Sequence, residues 1–229
     1  RRSEVLPNDR GVMVLAAGAR DLEPLLRRVW SHRTVEVCSV HVRDPVWVER
    51  LGLETGEFSK KRLMQNPTRR RKAFRSVVMR LLPYLIDFRA RHQLSVLTIG
   101  LVSPLLLEKD IRDGTGEVGE ALDTLRRYGC NIGPITHFGN HEGSNEFKDV
   151  AVLLILGDAI QNLSEMDAYA YGLFQDERGE EHAAEIMTGA EIVGMSADYH
   201  AGQIEGRARS ILRTRESPVL IVHAGKRLK

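Results

Sequence analysis

The stretch from Val150 to Gly157 reads VAVLLILG, seven apolar residues closed by a glycine, with no polar residue to mark an outward face. A strand with one wet face alternates apolar with polar. An unbroken run of this kind belongs to a strand covered on both faces, as in parallel sheets packed between helices. Working outward, LSVLTIG at 94–100 and GVMVLAAG at 11–18 are likewise short and largely apolar rather than alternating, and VEVCSVHV at 35–42 and PVLIVHAG at 218–225 are further candidates. Helical segments separate them. Asn66 with Pro67, and Ser103 with Pro104, each pair a capping side chain with a first-turn proline, and Ser164 with Asp167 resembles a capping box. Strand and helix therefore alternate. This predicts an α/β fold with a parallel sheet and helices on both faces, whose ligands gather in the loops after strands. The runs at 94–100, 150–156 and 218–223 are expected to be adjacent or near-adjacent strands of one sheet.

The 229 residues are 42% hydrophobic and 28% charged, ordinary for a globular protein and long enough for one large core or two small ones. Thirty-three basic and 31 acidic residues leave a net charge of +2, so attraction to a polyanion must come from clustering. Two cysteines, Cys38 and Cys130, exclude a disulfide framework and an all-cysteine zinc site, which fits a reducing cytoplasm. The apolar runs fall short of a membrane span and none resembles a signal peptide, so a cytoplasmic protein with no membrane partner is expected. Residue 1 is arginine and the first strand-like run begins about ten residues in, which reads as a piece of a longer chain.

From Ser59 to Arg91 the charge is one-sided: eleven lysines and arginines stand against the single acid Asp87. Phe74, Val77, Val78, Leu81, Leu82, Leu85 and Ile86 recur near helical spacing, so one face can pack while the arginines face out, with Pro83 expected to kink or split the helix. Two readings stay open, a solvated helix face and a phosphate-contacting stripe. In the second, Arg69, Arg70, Arg71 and Lys72 are the nucleic-acid-binding candidates.

The densest cluster of unusual residues is THFGNHEGSNEFKDVAVLLILG, from Thr136 to Gly157. Its Gly139-Asn140-His141-Glu142 matches a tetrad of calcineurin-like metallophosphoesterases, but their Gly-Asp-x-x-Asp lies upstream, whereas here Gly157 and Asp158 follow the tetrad and Gln161 stands in the last place. His137 and His141 have the spacing of zinc ligands on a helix, yet Gly139 and Gly143 disfavour a helix and no third ligand is spaced for one. No metal site is therefore expected.

Gly143, Ser144, Asn145 and Asp149 precede one strand, and Gln203, Gly206, Arg207 and Arg209 precede the last. This pair of blocks, G-S-N-x-F-x-D-V and Q-x-x-G-R-x-R, resembles motifs V and VI of the second RecA-like motor domain of superfamily-2-type helicases. The resemblance is nearest to helicase-like proteins of phages and mobile elements, in which a His-Phe/Tyr-Gly precedes motif V as His137, Phe138 and Gly139 do here. It covers about the C-terminal 95 residues and, more loosely, the strand at 94–100. Upstream, Ala16-Ala17-Gly18 stands where the family's motif III carries a hydroxyl.

The resemblance implies a RecA-like parallel sheet with three parts: a first-lobe remnant over 1–45, a basic helical connector over 46–92 and a second lobe over 93–229. It implies the C-terminal half of an ATP-dependent helicase or translocase acting on nucleic acid, with DNA placed ahead of RNA, and His137 among the nucleic-acid-binding residues. Arg207 and Arg209 take the catalytic role of arginine fingers. Gln203, Gly206, Gly143, Ser144, Asn145 and Asp149 are the cofactor-binding set. The chemistry suits the residue types, because an arginine offers a permanently charged fork to a γ-phosphate held by an opposing lobe. No Gly-x-x-x-x-Gly-Lys-Ser/Thr occurs, so ATP and Mg²⁺ are expected only with a missing N-terminal RecA-like lobe and not on this chain alone. The rival readings are a non-catalytic α/β nucleic-acid-binding or assembly module on a helicase scaffold and, behind it, a metallophosphoesterase-like hydrolase. The plain structural alternative for Arg207 and Arg209 is a surface helix paired with Glu205 and Glu216.

Overall fold

The computed structural model describes residues 27, 44–55, 58, 66–140, 145–158, 166–168, 171–172 and 188–225. The chain divides into two compact units, residues 1–41 with 160–203 and residues 42–159 with 204–229.

The second unit is built on a five-stranded sheet. Strands β1 (Val48–Glu54), β2 (Leu97–Ser103), β3 (Cys130–His137), β4 (Val152–Leu156) and β5 (Val219–Gly225) lie in the order β1-β5-β4-β2-β3, with every neighbouring pair parallel. The three largely apolar runs form the contiguous centre β5-β4-β2, although β2 begins at Leu97 and ends at Ser103, three residues later than the run at 94–100. Alternate side chains enter two layers. Leu97, Ile99, Leu101, Val152, Leu154 and Val222 join the core shared with helices α1 (Pro67–Arg91), α2 (Leu105–Asp113) and α3 (Glu117–Arg127). Val102, Leu153, Ile155, Val219 and Ile221 meet Phe147, Ile204 and Ala208 in the other core. Helical segments thus cover both faces, the second through the last turn of α4 (Gly189–Arg207) and the 3-10 turn Glu146–Asp149.

Local chemistry sets several of these elements. Asn66 Oδ1 accepts the Arg69 N–H at 3.2 Å and Pro67 fills the first turn, so α1 starts where the Asn-Pro pair says it should. The helix then runs through Pro83 as one 25-residue element, against the expected break. Pro83 is exposed, as is Met79 one turn earlier, so the lost hydrogen bond falls on the solvent side. The Ser103 expectation also needs correction. Ser103 is the buried last residue of β2, and Pro104, with no side-chain cap, occupies the position before α2. Gly100 in β2 lies under Phe147, where a Cβ would stand 2.6 Å from the ring, so the 3-10 turn packs closely on the sheet because this residue has no side chain.

Within residues 46–92, expected as a basic helical connector, β1 is hydrogen-bonded along β5 and α1 packs in the core of the same unit. The runs at 11–18 and 35–42, which carry the expected first-lobe remnant, lie outside the described residues.

In the other unit, the described part of α4 opens on a capping box. Thr188 Oγ1 accepts the Glu191 N–H at 3.2 Å and Glu191 Oε2 accepts the Thr188 N–H at 2.8 Å. Ser164 lies outside the described residues, and Asp167 instead accepts the Gly189 N–H at 2.9 Å. Among the described residues no helix is long and apolar enough to cross a membrane.

Candidate functional site

β4 and β5 are parallel neighbours, so the segments that lead into them reach the same, amino-terminal edge of the sheet. The 3-10 turn Glu146–Asp149 leads into β4; the end of α4, the 3-10 turn Ser210–Leu212 and residues 213–218 lead into β5. Phe147 and Val150 are buried while Asn145, Glu146, Lys148 and Asp149 are exposed, so the apolar residues anchor the turn and aim its polar ones outward. Across the gap, Arg209 Nη2 donates to Asn145 Oδ1 at 3.4 Å. Arg209 holds a left-handed conformation (φ 48°, ψ 47°), which turns the chain out of the helix; its N–H is bonded to Gly206 O at 3.0 Å. A cleft of about 340 Å³ opens here, lined in part by Lys148, Asp149, Arg209, Arg213 and Glu216. The two motif-like blocks therefore meet, but on the edge opposite to the loops after strands.

Arg207, the last residue of α4, is half-buried, and its Nε is shut off from solvent without a hydrogen-bond partner among the described residues. Glu205 does not pair with it but with Arg50 of β1. Gly206 is exposed with open space where a Cβ would stand, so packing does not demand glycine there. Gln203 closes the segment grouped in the other unit. Gly143 and Ser144 lie outside the described residues, as do His141 and Glu142 of the phosphoesterase-like tetrad.

The carboxyl edge carries two histidine–carboxylate contacts. His137, at the end of β3, approaches Glu108 Oε2 through Nδ1 at 2.6 Å, and Arg112 holds the other Glu108 oxygen at 2.7 Å. His137 is thus tied to α2. His223 Nε2 lies 3.0 Å from Gly157 O and 3.2 Å from Asp158 Oδ1. Burial opposes charge on this imidazole, but the bonds to Asp158 and Gly157, helped by the fields of Asp158 and Glu205, outweigh it and raise the His223 pKa above its ordinary value. Beside them the buried Phe58 packs on Gly157, its Cβ 3.1 Å from where a Gly157 side chain would begin.

Among the described residues the basic stripe is largely committed to neighbours, Lys60, Lys61 and Arg62 lying outside them. Arg70 is buried against Asp110, and Arg71 shares that carboxylate from a half-exposed position. Arg75 pairs with Glu117, Arg89 donates to Tyr128 O, and Arg91 grips Glu49 and Asp87. Arg69 and Lys72 stand exposed on the first turns of α1. The expectation that these arginines all face out fails for Arg70, because Asp110 of α2 reaches it from 40 residues away. Sequence reasoning missed the Asp110 and Glu108 anchors and Arg213; none carries a local signal. It also missed the Thr188-x-x-Glu191 box, which does.

No family model, curated protein or solved structure matches the chain. Among the described residues, no group of three or more His, Cys, Asp or Glu side chains could hold a metal ion.

Proposed function

We propose that the chain supplies the second, RecA-like lobe of an ATP-dependent nucleic-acid helicase or translocase. The observation that carries this reading is the Arg209–Asn145 contact: side chains from the two motif-like blocks, 64 residues apart, meet at one edge of neighbouring strands. The reading explains why a permanently charged fork sits at the end of α4 with Arg207 Nε unpartnered among the described residues. Such forks stabilise charge on a phosphoryl group presented by a facing lobe. Arg207 and Arg209 would hold the γ-phosphate end of ATP, with Asn145 orienting Arg209; the phosphate cradle and Mg²⁺ ligands come from the P-loop lobe, which this sequence does not contain. Among the described residues, exposed Arg69 and Lys72 are the remaining stripe residues placed to meet a nucleic-acid backbone, with DNA placed ahead of RNA.

The test is ATP hydrolysis by the protein carrying both lobes, with and without single-stranded DNA. Stimulated hydrolysis supports the motor. A protein that binds nucleic acid but does not hydrolyse ATP returns the fold to a non-catalytic binding module.

A further inference from the structure

We propose that the cleft between the lead-ins to β4 and β5 is a phosphate-binding site that this chain forms alone. It goes beyond the motor reading, since it needs no second lobe and centres on Arg213, which lies outside both motif-like blocks. Arg213 follows the 3-10 turn Ser210–Leu212, lines the cleft and is only 7% exposed. Its Nε–H donates to Ala208 O at 2.7 Å and Nη1 to Ser217 O at 3.5 Å, but Nη2 has no hydrogen-bond partner among the described residues.

Both bonded partners are neutral carbonyls, so among the described residues the guanidinium charge is buried without an ion pair, an arrangement that costs free energy until an anion arrives. Burial accordingly pulls the Arg213 pKa down, with the Asp149 charge opposing it. Lys148 and Arg209 line the same cleft. Its two acids leave the three cations in excess by one: Lys148 Nζ lies 3.8 Å from Asp149 Oδ2, and these exposed groups, with Arg209 and Glu216, are screened by water and salt far more than the interior guanidinium. Leu94, Ala151 and Pro218 give the cleft an apolar wall, and about 340 Å³ leaves room for a phosphate with part of an organic substituent. Nη2 is closed off from solvent, so a phosphate oxygen takes its hydrogens in a charge-assisted bond once the Arg213 side chain turns toward the cleft, while Lys148 adds a point charge from the rim. The same chemistry is offered by a phosphodiester of a nucleic-acid strand and by a free phosphate or phosphate monoester.

The experiment titrates this chain with inorganic phosphate at constant ionic strength, with chloride as the control, and follows backbone amide shifts by NMR. Saturable shifts confined to residues 145–151 and 208–218 are expected. Arg213→Met should weaken binding by about tenfold or more, the range for one hydrogen bond to a charged group. Because Arg213 also braces the turn, Lys148→Met serves as an independent variant at an exposed position; it should keep the fold and weaken binding about twofold to fivefold. Displacement of phosphate by a short single-stranded oligonucleotide assigns the site to phosphodiesters. Displacement by a phosphate monoester but not by the oligonucleotide assigns it to small phosphates. No saturable binding by the unaltered chain, or unchanged affinity in folded Lys148→Met, overturns the proposal whatever the ATPase result for the two-lobed protein.

Discussion

Arg70 donates its Nε–H to Asp110 Oδ2 at 2.5 Å, with both side chains closed off from solvent, while Arg71 reaches the other oxygen at 3.2 Å from a half-exposed position. One carboxylate of α2 thus turns two members of a basic run back into the fold. Removing one partner of such a buried pair strands the other charge. Arg70→Ala should cost about 3–5 kcal/mol in chemical denaturation, whereas Arg69→Ala, at an exposed position, should stay within about 0.5 kcal/mol. Equal effects would mean that Arg70 is not held inside.

The same ion pair decides which charges a nucleic acid can meet. If a strand's backbone runs past the start of α1, charge reversal at Arg69 and Lys72 should flatten the dependence of log affinity on log salt. The change should be nearly one unit for each duplex phosphate no longer neutralised, and smaller for a single strand. Reversal at Arg71 should change it less, because that guanidinium is already occupied by Asp110. A slope unmoved by the Arg69 and Lys72 changes would leave the stripe as a solvated face.

His223 makes a pH prediction. Its folded pKa is raised above the ordinary 6.5, so the protonated ring, bonded to Gly157 O and Asp158, stabilises the fold. That contribution is fully present below the unfolded value and is lost as pH rises through the folded one. In melting-temperature scans across this window, the gap between the native chain and His223→Gln should be widest on the acid side and shrink as pH rises. A gap that widens with pH would reverse the assignment.

Gly100 and Phe147 form a matched pair. A methyl group at residue 100 would stand 2.6 Å from Phe147 Cδ1 and 3.0 Å from Val150 Cγ1, and Phe147 is fully buried and has little room to yield. Gly100→Ala should destabilise by about 1–3 kcal/mol through overpacking. Adding Phe147→Leu should recover part of that loss, and a double-mutant cycle with no coupling would count against the close packing of the pair.

Arg207 separates chemistry from architecture if the motor reading is right. Arg207→Ala in the two-lobed protein should lower kcat about a thousandfold with far less effect on nucleotide affinity, and lysine should not rescue it, lacking the planar fork. Its melting temperature should barely move, since the Arg207 Nε has no bond to lose among the described residues. Arg213→Ala, by contrast, gives up bonds to Ala208 O and Ser217 O and should melt earlier. Normal kcat in a folded Arg207→Ala protein would end the arginine-finger assignment.

The sequence by itself determined the central sheet and the start of α1. Largely apolar runs at 94–100, 150–156 and 218–223 are best satisfied between two covering layers, and they overlap β2, β4 and β5, which lie side by side, with β2 shifted three residues toward the C-terminus. Asn66 and Pro67 act over one turn, so their effect was readable locally. The alternating VERLGLE was harder to see as a strand, because an edge strand with one buried face is stabilised only by pairing with β5, about 170 residues on.

Tertiary structure alone decided which charges face inward and where the motif-like blocks stand. Charge runs carry no record of their partners: Arg70 is buried because Asp110 arrives from α2, and Glu205 is taken by Arg50 rather than by an arginine near it in sequence. The site candidates divided the same way. Asn145, Asp149 and Arg209 came together because parallel pairing of β4 with β5 carries both lead-ins to one edge, a consequence of strand order and not of local propensity. Local rules act through a few neighbouring residues and survive in the sequence; burial of a charge depends on partners brought from across the fold, and these meet only once the strands have been ordered.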